Sequence, residues 1–374
     1  MIKQYRLRDY KFRLVLWVIA LTVLGIMIIG SADSDVQSKQ IIGLILGLIA
    51  MVIVSLIDYT WLLKFYWIFY FIGLAMLGAI LLVGRNVNGA TRWLVIGGIQ
   101  IQPSDFMKII LIMFYAQYFA KHEDDISNPK TILKSLLILA VPLVLIYKQP
   151  NLSTTILTLL LFSVIYFVAG LSYKVIGGIL VVLIPAFTVL ISMILKPGQT
   201  LIQEYQIRRI LAWLYPDQYP SDAAQQVNSI MAIGSGQLYG KGLDTTAIES
   251  VKNGNFIPEA QTDFIFAVAG EEIGFLGCCI IIILEMLIAI ECIRVGQKAR
   301  ERSGSILCCG MGALIALQSI MNICVATGLM PNTGLPLPFV SSGLSSLITL
   351  FVGIGLVLNV GLQVKKYKRK DILL

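Results

Sequence analysis

Residues 12–31, FRLVLWVIALTVLGIMIIGS, form an apolar run in which Arg13 is the single charge. An α-helix of about 20 residues is long enough to cross the roughly 30 Å hydrocarbon core of a bilayer. Similar runs recur along the whole chain, which is 57% hydrophobic and only 13% charged. Soluble proteins carry roughly 25% charged residues, so this composition excludes an ordinary soluble domain. The sequence predicts an all-α polytopic membrane protein.

The basic amino terminus leads into this run without an A-x-A-like cleavage site, so we expect a retained first helix and no cleavable signal peptide. All six cysteines lie in or beside apolar segments and lack the spacing of a metal site or a disulfide framework. The single histidine, His122, stands in the polar stretch KHEDD, which is typical of a solvated loop. A histidine-based metal site or catalytic triad is therefore not expected.

About ten transmembrane helices are predicted, in a single membrane domain that covers residues 1–374. Lysine and arginine concentrate in both tails and in the loop around Arg294, which an even number of helices puts on one face. By the positive-inside rule that face is cytoplasmic, as are both termini. The net charge of +8 then reflects topology and carries no evidence for nucleic-acid binding. The predicted helices are 12–31, 40–57, 61–83, 104–120, 132–147, 152–170, 174–195, 264–293, 305–328 and 343–364.

The largest outer segment is the loop of about residues 196–263, between the seventh and eighth helices. From Leu201 to Leu214, apolar residues recur at helical spacing with Arg208 and Arg209 between them. This pattern predicts a short helix that ends before Pro216 and either lies in the membrane interface or covers the bundle. Residues 232–244, AIGSGQLYGKGLD, could bring backbone N–H groups and Lys241 to a phosphate, although a flexible loop is the simpler interpretation.

Carboxylates gather in residues 256–274, FIPEAQTDFIFAVAGEEIG, where this polar loop meets an apolar segment. A carboxylate at the centre of a bilayer costs about 2.5–3.5 kcal/mol on insertion scales, so such a group is either paired or functional. Glu259, Asp263, Glu271 and Glu272 are the four candidates. Asp263, at the edge between water and lipid, is a candidate catalytic base.

Three further polar segments are expected on the same outer face. Residues 89–108 place Arg92 and Lys108 there, and this pair of cations suits an anionic diphosphate, unless Lys108 only snorkels to the interface. Residues 148–151 form a tight connection. Residues 328–343 are rich in proline and small polar groups, and irregular backbone of this kind persists at membrane depth only where protein covers it or it lines a wet cavity. Together these segments could border one cleft.

These motifs resemble those of the SEDS family, whose members RodA, FtsW and SpoVE are ten-helix polymerases of bacterial peptidoglycan. The resemblance runs from the first helix to the last. Its specificity lies in the combination of motifs: GATRW with IQPSDFMK, KQPNLSTT, AIGSGQLYGKG, PEAQTDFIF with GEEIG, and GLMPNTGLPLPF.

The resemblance implies an inverting glycosyltransferase that joins lipid II units on the outer leaflet of the plasma membrane and releases undecaprenyl diphosphate. It implies that Asp263 is the essential aspartate, and that Arg92, Lys108, Lys241 and Glu259 bind substrate or support the cavity. A class B penicillin-binding protein and other elongasome or divisome proteins would be its partners. A divalent cation such as Mg²⁺ or Mn²⁺ could take part, with Asp263 as a ligand.

The chain departs from the usual family motifs at several positions. Asn151 and Ser153 stand where QPDLGT is usual, Gln261 replaces a common histidine, and Gln237 replaces a glycine. Residues 341–346 read SSGLSS where the family has SYGGSS. The short tails and the compact large loop favour a RodA-like role in elongation. A lipid-precursor flippase or transporter and a non-catalytic scaffold of the cell-wall synthesis complex are the alternative functions.

Overall fold

The computed structural model describes residues 10–83, 85–87, 90–96, 99–175, 177–178, 204–243 and 257–363. This part contains long helices, one short 3₁₀ turn at Glu123–Asp125 and a small antiparallel sheet. The elements are α1 (Phe12–Ala32), α2 (Ser34–Leu56), α3 (Tyr59–Lys64), α4 (Tyr66–Val83), β1 (Arg85–Val87), β2 (Ala90–Ile96), β3 (Ile99–Ile101), α5 (Pro103–Lys121), α6 (Pro129–Lys148), α7 (Leu152–Ala169), α8 (Glu204–Leu214), α9 (Pro220–Ser235), α10 (Ile265–Gln297), α11 (Arg302–Ala326) and α12 (Leu344–Leu362).

Helices that could cross a membrane dominate the described part. Seven of them, α1, α2, α6, α7, α10, α11 and α12, are long and apolar enough to do so. The apolar part of α4, Tyr66–Leu82, is shorter, and α5 carries Asp105 and Lys108 in its first turns. These helices confirm a multi-pass membrane protein.

Most predicted helix boundaries lie close to the observed ones. The predicted helix 61–83 is divided at Phe65 into α3 and α4. The predicted helix 174–195 falls almost entirely outside the described residues. Each of the other predicted helices overlaps with an observed one.

Local chemistry explains where several helices begin. The side chains of Asp58, Asn128 and Asn151 accept hydrogen bonds from the backbone N–H groups of the first turns of α3, α6 and α7. Proline occupies the first position of α5, α6 and α9, where its missing N–H has no cost. The first N–H groups of a helix have no partner within the helix, so polar side chains in the preceding connection bind them.

Two connections contain regular structure beyond the predicted helices. The connection after α4 forms a three-stranded antiparallel sheet in the order β1-β2-β3. The large loop contains α8, as predicted, and also α9, which the sequence did not predict. The helical pattern in α9 is weak because polar residues interrupt it, and its stability comes from packing against α8 and α10.

A break divides α10 near its start. Gly274 has φ +65° and ψ −166°, which separates a short half-helix, residues 265–273, from the long span that follows. Residues 237–242 fill this break: the N–H groups of Lys241 and Gly242 donate to the carbonyls of Glu271 and Glu272, and those of Phe275 and Leu276 donate to the carbonyls of Gln237 and Leu238. The expectation of a flexible glycine-rich loop was therefore wrong, because these backbone bonds fix the segment.

One end of the bundle gathers the polar segments and is called the site end here. At this end the amide of Gln40 in α2 donates to Ser341 O, and the backbone N–H of Gln102 donates to Ser345 in α12. At the opposite end, Asn359 in α12 accepts from the N–H of Tyr59, and Arg302 donates to Ala169 O. Asp263 lies at the site end.

Candidate functional site

Asp263 lies two residues before the start of α10, and its backbone is held by neighbouring segments. The side chain of Asn322 donates to its carbonyl oxygen at 2.8 Å. On the preceding residues, Ser341 Oγ donates to Thr262 O at 2.6 Å and the N–H of Ser342 donates to Gln261 O at 2.9 Å. The segment from 261 to 263 is thus fixed between α11 and the residues before α12. The side chain of Asp263 is half-buried.

Gly334 faces the carboxylate of Asp263 from residues 328–343, which we call the proline loop. A Cβ at Gly334 would lie 3.1 Å from Asp263 Oδ2 and 3.9 Å from Arg209 Nη1. Arg209, in α8, also approaches Asn332 O at 3.4 Å. The site therefore brings a carboxylate and a guanidinium to the same glycine.

The two helices of the large loop cover the first half of the proline loop. Trp213 in α8 donates to Gly328 O at 2.8 Å. Gln226 in α9 donates to Met330 O at 2.7 Å, and Gln225 accepts from the side chain of Asn332 at 3.0 Å. These contacts support the alternative in which α8 covers the bundle, because Trp213 and Arg209 both donate to carbonyls of the proline loop.

The start of α7 supports the proline loop from another direction. Ser153 Oγ donates to Thr333 O, next to Gly334. Asn151 is buried, and its side chain accepts from the N–H of Thr154 as the N-cap of α7. A cap needs an oxygen acceptor but no charge, so asparagine meets the structural requirement at a position where the family usually has aspartate.

Lys108 is buried inside the bundle and does not snorkel to the interface. It is 4% exposed, forms an ion pair with Asp105 at 2.9 Å and donates to Gln318 Oε1 at 3.1 Å. Both partners lie in the protein interior, because Asp105 and Gln318 are buried too. The polar contacts that the structure gives for Lys108 are therefore with protein groups.

Lys241 forms an ion pair with Glu271. Its Nζ lies 2.8 Å from Glu271, which is 2% exposed. Glu271 lies roughly 9 Å along the axis from the start of α10. Glu272 accepts a hydrogen bond from Ser31 in α1. Of the two alternatives for a carboxylate at the membrane edge, paired or functional, these contacts favour pairing for Glu271 and Glu272.

Backbone amides near Lys241 are not available to cradle a phosphate. The N–H of Gly240 donates to Gly236 O, and those of Lys241 and Gly242 donate to α10. Within the described residues, the glycine-rich segment therefore closes the break in α10 instead of forming an anion nest.

The other two sequence candidates are Arg92 and Glu259. Arg92 is in the middle of β2, and its side chain lies outside the part of the structure that is described. Glu259 is exposed and has φ +50°. Its carbonyl oxygen accepts from the N–H and the side chain of Thr262, so it forms the turn that leads into Asp263.

The described residues contain no cluster of side chains that could bind a metal ion by itself. Among them, no three histidine, cysteine or acidic side chains come together as a metal site would require. The six cysteines are free and lie in α10 and α11. Asp263 is the residue of the site that could bind a divalent cation, and such an ion would need further ligands from a substrate.

Arg209, Gln318 and Asn322 are site residues that sequence reasoning did not single out as functional. Arg209 was noted only as one of two arginines in an amphipathic pattern. Gln318 and Asn322 carried a usable signal, since polar side chains four residues apart within an apolar span are costly unless they bond to something. The contact of Asp263 with Gly334 had no local signal, because the two residues are far apart in the sequence.

Comparison with known proteins identifies the family. Residues 11–366 match the family of cell cycle proteins FtsW, RodA and SpoVE. The chain belongs to this family. It is 32% identical to the probable peptidoglycan glycosyltransferase FtsW of Trichlorobacter lovleyi, over 99% of this chain and 98% of that protein. It is 30% identical to the FtsW of Aliivibrio salmonicida, over 95% of this chain and 90% of that protein.

Solved structures share the same fold. A peptidoglycan synthase complex, described for its coordination of polymerization and crosslinking, contains a chain that matches with a TM-score of 0.79 at 28% identity, over 94% of this chain and 97% of that chain. The rod shape determining protein RodA of Thermus thermophilus matches with a TM-score of 0.68 at 26% identity, over 94% of this chain and 96% of that chain. The family predicted from the motifs is thus confirmed.

Proposed function

We propose that this protein is a peptidoglycan polymerase of the bacterial plasma membrane. It transfers glycan chains between lipid II units and releases undecaprenyl diphosphate, for cell elongation and shape or for division. One observation carries this proposal. The half-buried carboxylate of Asp263 and the guanidinium of Arg209 both lie next to Gly334, at the polar end of an apolar bundle. The chain belongs to a family whose relatives are named peptidoglycan glycosyltransferases, and glycosyl transfer from a diphosphate can use both a carboxylate and a cation.

Asp263 acts as the general base. Its carboxylate takes the proton of the acceptor sugar's 4-hydroxyl as that oxygen attacks the anomeric carbon of the donor. The new glycosidic C–O bond forms while the bond from the anomeric carbon to the diphosphate oxygen breaks, which inverts the anomeric centre. Proton transfer of this kind typically contributes about 10²–10⁴-fold in rate.

Arg209 provides the positive charge for the leaving group. Diphosphate is a weak base and needs charge stabilisation more than a proton, and a guanidinium offers several donors in a planar fork. Arg92 and Glu259 are proposed to contact the substrate from the edge of the site. Lys108 and Lys241 support the cavity, since each is paired with a carboxylate of the protein.

The proposed topology has ten transmembrane helices, with both termini in the cytoplasm and the large loop of residues 196–263 outside. Basic residues in the tails and in the connection between α10 and α11 support it through the positive-inside rule. The site end then faces the outer leaflet, where a lipid-linked substrate can reach Asp263.

The proposed partner is a class B penicillin-binding protein, which crosslinks the glycan that this protein makes. The similarity to a chain of a peptidoglycan synthase complex supports this assignment. Within the cell, the pair would work with other membrane proteins of the elongasome or divisome.

Polymerisation of purified lipid II tests the proposal directly. We expect glycan chains from the wild-type protein, with or without its partner, and none from Asp263→Asn at equal amounts of folded protein. Asp217→Asn is the matched control, because Asp217 is an exposed carboxylate on the same large loop. Normal chain formation by Asp263→Asn would contradict the role of the aspartate, and chelation that stops the wild type would favour a metal-assisted reaction.

A further inference from the structure

Two amide side chains stand one turn apart on α11, inside the bundle. Gln318 is 0% exposed and Asn322 is 1% exposed. Burying an amide without hydrogen bonds costs roughly 1–3 kcal/mol by protein mutational data, so the partners of such groups indicate what they are for. Both amides are directed at the segments that form the site.

Asn322 binds both sides of the site with one amide group. Its Nδ2 donates to Asp263 O at 2.8 Å and to Leu335 O at 2.7 Å. The first bond holds the backbone of the proposed base, and the second holds the residue after Gly334. Asn322 therefore joins the backbone of Asp263 to the middle of the proline loop, in addition to the bonds that Ser341 and Ser342 form with residues 261–262.

Gln318 connects the proline loop to the buried lysine. Its Nε2 donates to Pro336 O at 2.8 Å, while its Oε1 accepts from Lys108 Nζ at 3.1 Å. Lys108 is paired in turn with Asp105 at 2.9 Å. A continuous series of contacts thus runs from α5 through α11 to the loop that faces Asp263.

The proline loop needs such external donors because it cannot form its own ladder. Pro331, Pro336 and Pro338 lack backbone N–H groups, and residues 331–337 adopt no regular secondary structure. Buried carbonyls without a partner are rare in folded proteins. The amides of α11 satisfy two successive carbonyls, those of Leu335 and Pro336.

We propose that Asn322 and Gln318 are positioning residues for the polymerase reaction. Asn322 holds Asp263 in place relative to Gly334. Gln318 links Lys108 to the proline loop, so that Lys108 positions this loop and does not bind the diphosphate. This inference rests on the proposed function of Asp263.

Steady-state kinetics of Asn322→Leu test the first half. Misplacement of a reacting group by about 1 Å can lower a rate about 100-fold, so we expect a fall of that order in kcat with KM for lipid II within about twofold. Asn322→Gln, which keeps the donors, should recover part of the rate.

Asn359→Leu is the matched control. Asn359 is also a fully buried amide that donates to a carbonyl, Ser55 O at 2.7 Å, but it lies at the opposite end of the bundle. We expect it to lower the thermal stability and to leave the turnover per folded molecule unchanged. Equal loss of turnover in both variants, or a wild-type kcat in folded Asn322→Leu, would overturn the proposal.

Lys108→Met and Gln318→Met test the second half. If Lys108 acts through Gln318, both variants should lower kcat by a similar factor. The kcat of the double variant should then be no lower than that of either single variant. A rise in KM for lipid II in Lys108→Met alone would instead indicate contact with the substrate and overturn this part.

Hydrogen exchange separates failure of this inference from failure of the proposed function. In Asn322→Leu, amides of residues 261–264 and 328–343 should exchange faster than in the wild type, and those regions should be unchanged in Asn359→Leu. Absence of polymer from the wild type would refute the proposed function alone. Unchanged exchange in Asn322→Leu would refute the positioning role, whatever the enzyme makes.

Discussion

Asp263 depends on the absence of a side chain at the residue that faces it. Gly334 has φ +67°, a conformation that strains other residues, and a Cβ there would lie 3.1 Å from Asp263 Oδ2 and 3.9 Å from Arg209 Nη1. The same backbone conformation occurs at one position where the chain departs from the family motifs. Gln237 stands where glycine is usual and has φ +50°, so the backbone there retains the conformation that favours glycine.

Gly334→Ala should impair polymerisation more than it impairs folding. The new Cβ would lie 3.1 Å from Asp263 Oδ2, which displaces the carboxylate, and we expect kcat to fall about tenfold or more. Lipid II polymerisation per folded molecule measures this effect.

Gly242→Ala is the control for backbone strain. Gly242 has φ +92°, and a Cβ there would meet nothing within 4 Å. Strain of about 1–3 kcal/mol is expected in both variants, so both should unfold at lower temperature. An equal loss of turnover in both would show that the contact with Asp263 is irrelevant.

At the scale of elements, the break in α10 places the aspartate. The half-helix before Gly274 begins two residues after Asp263 and buries Glu271 and Glu272. Residues 237–242 lie across the break and bond to both of its sides. The direction of the half-helix, and hence the place of Asp263, is therefore set by the segment that leaves α9.

Gly274→Ala should destabilise the whole fold. Its φ/ψ combination is essentially restricted to glycine, at a cost of about 1–3 kcal/mol for other residues, and a Cβ would lie 2.3 Å from Gly240 N. We expect a lower unfolding temperature in detergent and less folded protein.

Gly78→Ala provides the comparison within a helix. Gly78 lies in α4 and a Cβ there would meet nothing within 4 Å. Because alanine favours helices by about 1 kcal/mol over glycine, the unfolding temperature should stay the same or rise. A normal unfolding temperature for Gly274→Ala would contradict the role of the break.

For the whole molecule, the polar groups that surround Asp263 collect at one end. The proline loop, α8, α9 and the starts of α7 and α10 supply them. A transporter is expected to bind its substrate near the middle of the membrane instead. This distribution favours a polymerase that works at one surface.

Liposomes that contain the purified protein distinguish the two functions. We expect labelled lipid II to be polymerised where it is accessible to the site end, with no faster movement between leaflets than in protein-free liposomes. Translocation without polymer would establish the flippase alternative, and Asp263→Asn liposomes control for leakage.

The amino-acid sequence by itself determined the membrane class, most helix boundaries and the candidate base. Apolar runs of bilayer length and carboxylates at their edge are local patterns, and each has a large energetic consequence that requires no knowledge of the fold. The motif order also gave the family correctly. The roles of Lys108 and Lys241 could not be read in this way, because a cation near an expected anion site looks the same whether its partner is substrate or protein.

Tertiary structure decided which side chains meet. Arg209 approaches Gly334, which faces Asp263, because α8 covers the proline loop, and Asn322 holds Asp263 from a separate span. The break in α10 was hidden because its glycine lies in an otherwise continuous helical pattern, and the partners that fill it come from residues 237–242. The physical reason is common to both cases: backbone carbonyls and N–H groups that lose their local partners must find distant ones, and only the folded chain determines where those are.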